Sequence, residues 1–316
     1  MRVLIVTNLT PDAGNPQRGR WVADQVEGIR AHGVEVEMFG FATGRREYLP
    51  ATRRLRRRLR DERFDLVHAH YGLAAWCARL AGADPLVVTF HGTDVHHRVV
   101  GPLSRRLARR IALCAAVSRS LFAYGPGGAG LPRDATRNAV LPCGPDLRRF
   151  SRLPRDKARR ELGLEPDRPY LLFPADPGRP AKRHDLAAEI AAAAGAELLT
   201  GGAIEPERMP LWVNAANAVL VTSDYEGFGL AAVEALACDV PVLSTPVGIA
   251  PHLLAGIEGC LAAPFAPGPW LDALRPHLAA ADPRVAGRAR AATLSAERMA
   301  ERVVIAYRDL LSTTSQ

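Results

Sequence analysis

Lysine is nearly absent from this chain of 316 residues: only Lys157 and Lys182 occur, against 39 arginines. Such a bias reflects base composition more than partners, and it makes the place of each lysine informative. Aromatic residues are sparse at 6%, and none interleave with the arginine runs as a single-strand nucleic-acid platform would need. No nucleic-acid partner is expected. Cysteine is scarce and scattered: Cys77, Cys114, Cys143, Cys238 and Cys260 are odd in number and form no CxxC pair. That excludes a disulfide scaffold and a structural zinc site, and the thiols read as reduced core residues of a cytoplasmic protein. Long apolar runs are missing too. The opening Val3-Leu4-Ile5-Val6 is too short for a signal peptide's apolar region. The uncharged stretch from 240 to 257 is broken by Pro241, Pro246 and Pro251, so no membrane span is expected.

What the chain does have is enough apolar residue, 48%, to bury cores. Its length suggests two domains at roughly 150 residues each. A net charge of +8 admits anionic ligands of several kinds without choosing one. Short apolar runs at 3–7, 34–39, 66–70, 86–90, 113–117 and 139–141 read as strands. Helical patterns at 18–31, 51–62, 73–80 and 101–110 lie between them. Alternation of this kind predicts a parallel sheet covered on both faces. It pauses over the Arg-, Pro- and Asp-rich residues 151–168, read as a linker with a short helix at 156–162. It resumes with strands at 170–173, 196–200, 218–222, 240–244 and 259–261, and helices at 182–194, 207–215 and 230–237. The end, 288–311, reads as one helix. The expected class is α/β: two doubly wound domains in tandem, with ligands at the carboxyl ends of the strands in the cleft between them.

Several motifs bear on chemistry. A GxGxxG at Gly125, Gly127 and Gly130 follows a helical stretch and precedes Leu131-Pro132. It therefore lacks the strand–turn–helix setting of a dinucleotide fingerprint and reads as a loop. Arginines crowd two helices: Arg53, Arg54, Arg56, Arg57, Arg58 and Arg60, then Arg105, Arg106, Arg109 and Arg110. Two readings stay open, solvated helix faces or a patch lying peripherally against an anionic membrane. His68 and His70 share a strand face, and His68, His96 and His97 read as strand-end or loop residues. No HExxH or carboxylate at ligand spacing accompanies them, so no metal site is expected. His91, in Phe90-His91-Gly92-Thr93-Asp94, differs because it follows a buried strand at the ligand face. Asp224-Tyr225-Glu226-Gly227-Phe228-Gly229-Leu230 is a glycine-punctuated turn opening a helix whose free amides can hold an anion or sugar hydroxyls. Glu226 and Glu234 would lie ~12 Å apart on a single helix. That is too far for a hydrolytic carboxylate pair and suits two grips on one long ligand. Arg179, Lys182 and Arg183, after the second domain's first strand, suit a diphosphate.

Together these residues carry a resemblance. Glu226-x7-Glu234 within EGFGLAAVEALACDVPVLST resembles the donor-site signature of retaining glycosyltransferases of family 4, which have the GT-B fold. Similar stretches follow in the expected order: Gly19 in the loop after the first strand, VTFHGTDV around His91, AAVSRSL at 115–121, VLPCGPDLRRF at 140–150, and FPADPGRPAKRHDLA at 173–187. The chain departs from the pattern at Gly19-Arg20, where paired glycines are usual. It departs again at Cys143-Gly144-Pro145-Asp146, and in the short Arg179-to-Lys182 spacing.

The resemblance implies a GT-B protein with residues 1–150 as the acceptor-side Rossmann-like domain and 169–295 as the nucleotide-sugar side. Residues 296–316 would form a helix returning to the first domain. It implies transfer of a hexosyl group from a UDP- or GDP-sugar to an acceptor hydroxyl, by front-face displacement, without metal or cofactor. His91, Glu226, Arg179 and Lys182 would be catalytic. Gly19, Glu234, Phe228, Gly229 and Leu230 would bind the donor, with Glu234 on the ribose and His91 reaching the sugar across the cleft. The acceptor is left open among a sugar, a lipid-linked glycan and a secondary metabolite. The alternatives are a nucleotide-sugar epimerase on the same fold and a non-catalytic nucleotide-sugar binding protein.

Overall fold

The apolar runs at 3–7, 66–70, 86–90 and 113–116 are short and buried, as strands flanked on two sides must be, whereas the run at 34–39 is half-exposed. The computed structural model describes residues 1–10, 18–123, 130–134 and 137–314. In the first of two compact units, strands β1 (Arg2–Thr7), β2 (Glu35–Gly40), β3 (Leu66–His70), β4 (Leu86–Phe90), β5 (Leu113–Ala116) and β6 (Asn138–Val140) form one parallel sheet. Its order is β2-β1-β3-β4-β5-β6. Helices α1 (Arg20–Ala31), α2 (Tyr48–Asp61), α3 (Gly72–Ala81), α4 (Thr93–His96) and α5 (Val100–Ala108) make the connections.

The second unit runs from Gly144 to Ser295. It holds α6 (Arg155–Leu162), β7 (Tyr170–Phe173), α7 (His184–Ala193), β8 (Glu197–Thr200), α8 (Met209–Ala215), β9 (Ala218–Val221), α9 (Leu230–Ala237), β10 (Val242–Ser244), α10 (Ala250–Leu254), β11 (Leu261–Ala262), α11 (Pro267–Ala279) and α12 (Arg288–Ala292). Its parallel sheet has the order β11-β10-β9-β7-β8. Both sheets thus place their first strand between the second and the third, so each has a switch point, between β1 and β3 and between β7 and β9.

The last helix, α13 (Ala296–Thr314), belongs to the first unit and packs against α1. Its Val303, Val304, Tyr307 and Leu310 join Val22, Val26 and Ile29 of α1 over Val3 and Ile5 of β1. In the second unit Ile190 of α7 and Trp270 and Leu274 of α11 close over Leu171, Phe173, Leu220 and Leu243. All five cysteines are free thiols. Burial pushes those of Cys114, Cys143 and Cys238 up to about 12, where they are unreactive. Among the described residues no helix is long and apolar enough to cross a membrane.

One expectation falls on residues that are not described, and others change. Gly125 and Gly127 of the glycine loop lie outside the described residues. The expected single helix at 288–311 is two, because the chain turns at Thr293–Ser295, where a Cβ on Gly144 would meet Leu294 O at 1.9 Å. Residues 151–168 are no free linker, and the units divide at Cys143 rather than at 150. Their α6 packs on α8, and Arg159 is fully buried there. Arg159 donates from Nε to Ala215 O (3.0 Å), from one Nη to Asn217 Oδ1 (2.9 Å), and from the other to Pro166 O. Asn217 in turn accepts from Tyr170 N at the start of β7 and donates to His277 O.

Removing that guanidinium takes the side-chain donor from the buried Ala215 carbonyl and leaves Asn217 Oδ1 with Tyr170 N alone. Arg159→Met should therefore lower unfolding free energy by about 2–4 kcal/mol, measured by urea denaturation. A change within the noise of a surface substitution would show that the segment is peripheral after all.

Candidate functional site

Strands of a parallel sheet all end on one edge, and ligands of such sheets bind there, where neighbouring loops diverge. In the second unit the loop after β7 and the loop after β9 meet across the switch point. Lys182 ends a 3-10 turn at Pro180–Lys182. Thr222, just past β9, donates its hydroxyl to the carbonyls of Lys182 (3.0 Å) and Arg183 (2.9 Å), and Asp224 N donates to Ala181 O (2.9 Å). So pinned, Lys182 Nζ donates to Glu226 Oε1, and that oxygen also accepts from Ser223 Oγ at 2.8 Å. The two charged side chains keep 16% and 15% of their surface.

The other cations differ. Arg183 is held by Asp185 (2.8 Å) and Asp224 (3.1 Å), which leaves little of its charge for a ligand. Arg179 is exposed and its guanidinium is free of ion pairs among the described residues. Of the basic cluster, then, Lys182 is positioned, Arg179 is available, and Arg183 is already neutralised. Glu226 lies in the turn and Glu234 in α9, which opens only at Leu230 after Gly229 (φ +100°). The two glutamates are not on one helix. Phe228 is buried and its carbonyl accepts from Ile249 N at 2.8 Å. A Cβ at Gly248 (φ +55°) would come within 2.3 Å of that carbonyl, so only glycine lets the two loops close.

The first unit gathers different chemistry at its own switch point. Gly19 caps α1 with φ +69°, and a Cβ there would lie 1.7 Å from Leu9 O. This glycine is required by the fold of the loop itself, whatever else approaches it. Close by in the chain, Trp21 packs on His91 with ring centroids 4.0 Å apart and planes tilted by 41°. His91 is half-buried, and its Nε2 lies 3.1 Å from Nδ1 of fully buried His70. Tyr71, immediately after, holds φ +80°, a strained value for a side-chain-bearing residue of the kind that gathers at ligand sites. The loop after β4 is tied by Asp94, whose Oδ1 accepts from His91 N and Gly92 N (both 2.9 Å) and whose Oδ2 accepts from Gly72 N (3.0 Å).

Sequence reasoning gives neither Asp94 nor His70 a role of its own. Asp94 accepts from amides two and three residues before it, the reverse of an Asx turn, so no local turn signal marks it. His68 behaves as expected, buried between the Tyr307 hydroxyl and Thr89. Among the described residues no group of three His, Cys, Asp or Glu side chains is placed to hold a metal ion.

A family model described as Glycosyltransferase Family 4 matches residues 2–149, and one described as Glycosyl transferases group 1 matches 177–279. The D-inositol 3-phosphate glycosyltransferase of Xylanimonas cellulosilytica is 30% identical over 291 residues, 73% of this chain and 68% of that protein. This chain belongs to glycosyltransferase family 4. The family member of the same name from Nocardia farcinica is 31% identical over 268 residues, 67% of this chain. This chain spans 58% of the Nocardia protein's length and 66% of that of the Geodermatophilus obscurus relative. Among solved structures, sucrose-phosphate synthase from Thermosynechococcus elongatus aligns with a TM-score of 0.73 at 19% identity, covering 99% of each chain. Anabaena HepE in complex with UDP-glucose aligns with a TM-score of 0.67 at 18% identity, covering 100% of this chain and 99% of that one. At such identities these two show the fold, that of GT-B glycosyltransferases.

Burial lifts the Asp94 carboxyl from its ordinary 3.8 to about 6, against the pull of its amide hydrogen bonds. The folded unit therefore holds this proton more tightly than the unfolded chain does. Folding takes up a proton between pH 3.8 and 6, so this group's contribution falls as pH rises through that window and is flat above it. Tighter proton binding of that size amounts to about 3 kcal/mol. Urea midpoints across this range should show Asp94→Asn losing that downward slope relative to wild type; parallel curves would refute the assignment.

Proposed function

We propose that this family 4 chain transfers a hexosyl group from a nucleotide-sugar, with UDP or GDP as the nucleotide, to an acceptor hydroxyl, retaining the anomeric configuration and using no metal. One observation carries the reading: a single well-placed lysine and a glutamate share a hydrogen bond at the switch point of the second sheet, beside the amides that open α9. A diphosphate needs fixed positive charge, and a sugar needs carboxylate and amide partners. The loops after β7 and β9 supply both. The UDP-glucose and UDP complexes of HepE and the glycosyltransferase names of the relatives support the same reading.

In this reaction the bond from the anomeric carbon to the diphosphate oxygen breaks, and its electron pair leaves with the diphosphate. The acceptor oxygen bonds to the same face of that carbon, and its proton passes to the departing phosphate oxygen. Lys182 and Arg179 stabilise the charge that grows on the leaving group. Glu226, Phe228, Gly229 and Leu230 hold sugar and phosphate, and Glu234 holds ribose hydroxyls. His91 takes the donor sugar and Gly19 the diphosphate by family resemblance. The acceptor carries a hydroxyl and is otherwise open. The free thiols suit a cytoplasmic protein. Arg106, Arg109 and Arg110 of α5 and the turn after it are exposed, together with Arg53, Arg54 and Arg60 of α2, and would supply any peripheral contact with an anionic membrane.

Purified protein incubated with UDP- and GDP-sugars should release free nucleotide slowly without acceptor. An epimerase would change the sugar and release none, and a binder would do neither. Lys182→Ala should cost ~10²–10³ in rate. Glu234→Gln should weaken free-nucleotide binding about tenfold by calorimetry, since a charge-assisted contact made equally in ground and transition states is lost. Unaltered rates in Lys182→Ala would sink the diphosphate assignment.

A further inference from the structure

Three histidines meet in the first unit, and counting their hydrogen bonds decides which ring nitrogens carry protons. His68 has both nitrogens matched, Nδ1 to the Tyr307 hydroxyl (2.5 Å) and Nε2 to Thr89 Oγ1 (2.8 Å). His70 has one match only. Its Nδ1 faces His91 Nε2 at 3.1 Å, while its Nε2 is buried and has no hydrogen-bond partner among the described residues. Burial lowers the pKa of His70 to about 3 and holds His68 and His91 well below the ordinary histidine value. At neutral pH each ring is therefore uncharged, with one N–H and one bare nitrogen.

Two arrangements satisfy the His70–His91 contact. In the first, His91 donates from Nε2 and His70 carries its own proton on Nε2, which leaves a buried N–H with nothing to donate to. In the second, His70 carries its proton on Nδ1 and donates to His91 Nε2, so only a lone pair is left bare at His70 Nε2. A buried orphan N–H is the rarer and costlier of the two. The rings around His70, Trp21 at 5.6 Å and His68 at 4.4 Å, offer it no better acceptor than a π face. The second arrangement requires His91 to carry its proton on Nδ1. Asp94, the nearest carboxylate in sequence, accepts from main-chain amides, so the ring of His91 is oriented by His70 instead.

We propose that His70 is a positioning residue that locks His91 as its Nδ1–H tautomer, so that His91 meets its ligand as a neutral hydrogen-bond donor and not as a base. The ligand atom it fits is an uncharged or anionic oxygen, such as a hydroxyl of the transferred sugar. That last step rests on the proposed function; the tautomer does not.

Two measurements separate the tautomer from the function. Wild-type protein labelled with ¹⁵N-histidine at pH 7 should show His91, assigned by comparison with His91→Gln, as the Nδ1–H tautomer in long-range ¹⁵N–¹H correlation spectra. His70→Ala should return His91 to the Nε2–H form that free histidine side chains prefer. His70→Asn, whose amide N–H falls near the position of the lost Nδ1–H, should restore Nδ1–H. In donor hydrolysis, His70→Ala should lower kcat roughly three- to tenfold, with His70→Asn recovering most of it. An Nε2–H His91 in the wild type overturns the proposal, as does an Nδ1–H His91 that survives His70→Ala. A locked Nδ1–H His91 in a protein that turns over no nucleotide-sugar upholds the positioning and defeats the functional reading.

Discussion

A parallel sheet points every strand the same way, so each strand delivers its following loop to one edge. Everything of chemical interest in this chain follows from that constraint, met twice. In each unit the first strand lies between the second and the third, so the connections after the first and third strands leave in opposite directions. The backbone amides and side chains between them are left uncovered. β1 and β3 open such a gap beside Trp21, His70 and His91; β7 and β9 open another beside Lys182 and Glu226. No other edge of either sheet could present loops from non-consecutive strands to one small ligand. The short strands are enough for this, because the helices bury both faces and the apolar contacts of α13 with α1 and of α11 with α7 hold each sheet against its cover.

The charged pair at the second switch point illustrates how a site for an anion can exist before the anion arrives. Lys182 alone, at a part-buried position, would lose hydration with nothing in return, and its side chain would be free to swing. Glu226, with Ser223 donating to the same carboxylate oxygen, fixes the ammonium in one place. The arrangement is favourable only while both members are present, since removing either leaves a part-buried charge with a poorer partner. Arg183 shows the contrasting case, an exposed cation between two aspartates whose charge is used up locally. Sequence alone puts all three cations in one cluster; the difference between them lies in what faces them across the sheet.

That contrast runs through the relation of sequence to structure. The strands at 66–70, 86–90 and 170–173 and the helix at 230–237 are legible to the residue, because an unbroken apolar run and a glycine before a helix are local signals. Helix α11 is not, since Pro267, Pro269 and Pro276 read as breakers, although two sit at or near the helix start and the chain tolerates the third. Residues 151–168 read as a linker because arginine and proline dominate them. Nothing local could show that Arg159 answers Asn217, 58 positions away. Likewise strand parity puts His68 and His70 on one side of β3, but not what covers that side. For His68 the cover is Tyr307, 239 positions on, and for His70 it is His91, which stands on the next strand's loop. Lys182, Glu226 and the turn before α9 are visible as a motif; the hydrogen bond joining them is not.

The two switch points also differ in the kind of group they offer, and under the proposed function the difference matches the chemistry of a nucleotide-sugar. Near the second sheet the groups are a part-exposed lysine and glutamate held together by a hydrogen bond. Near the first sheet they are imidazoles driven neutral by burial, matched to one another and to hydroxyls. Neutral donors discriminate between hydroxyls by geometry, at hydrogen-bond distance, and carry no charge that would favour an anion over a hydroxyl. Burial of His68, His70 and His91 thus does more than fill the core beneath α13. It leaves the first unit's switch point with hydrogen-bonding groups that carry no charge.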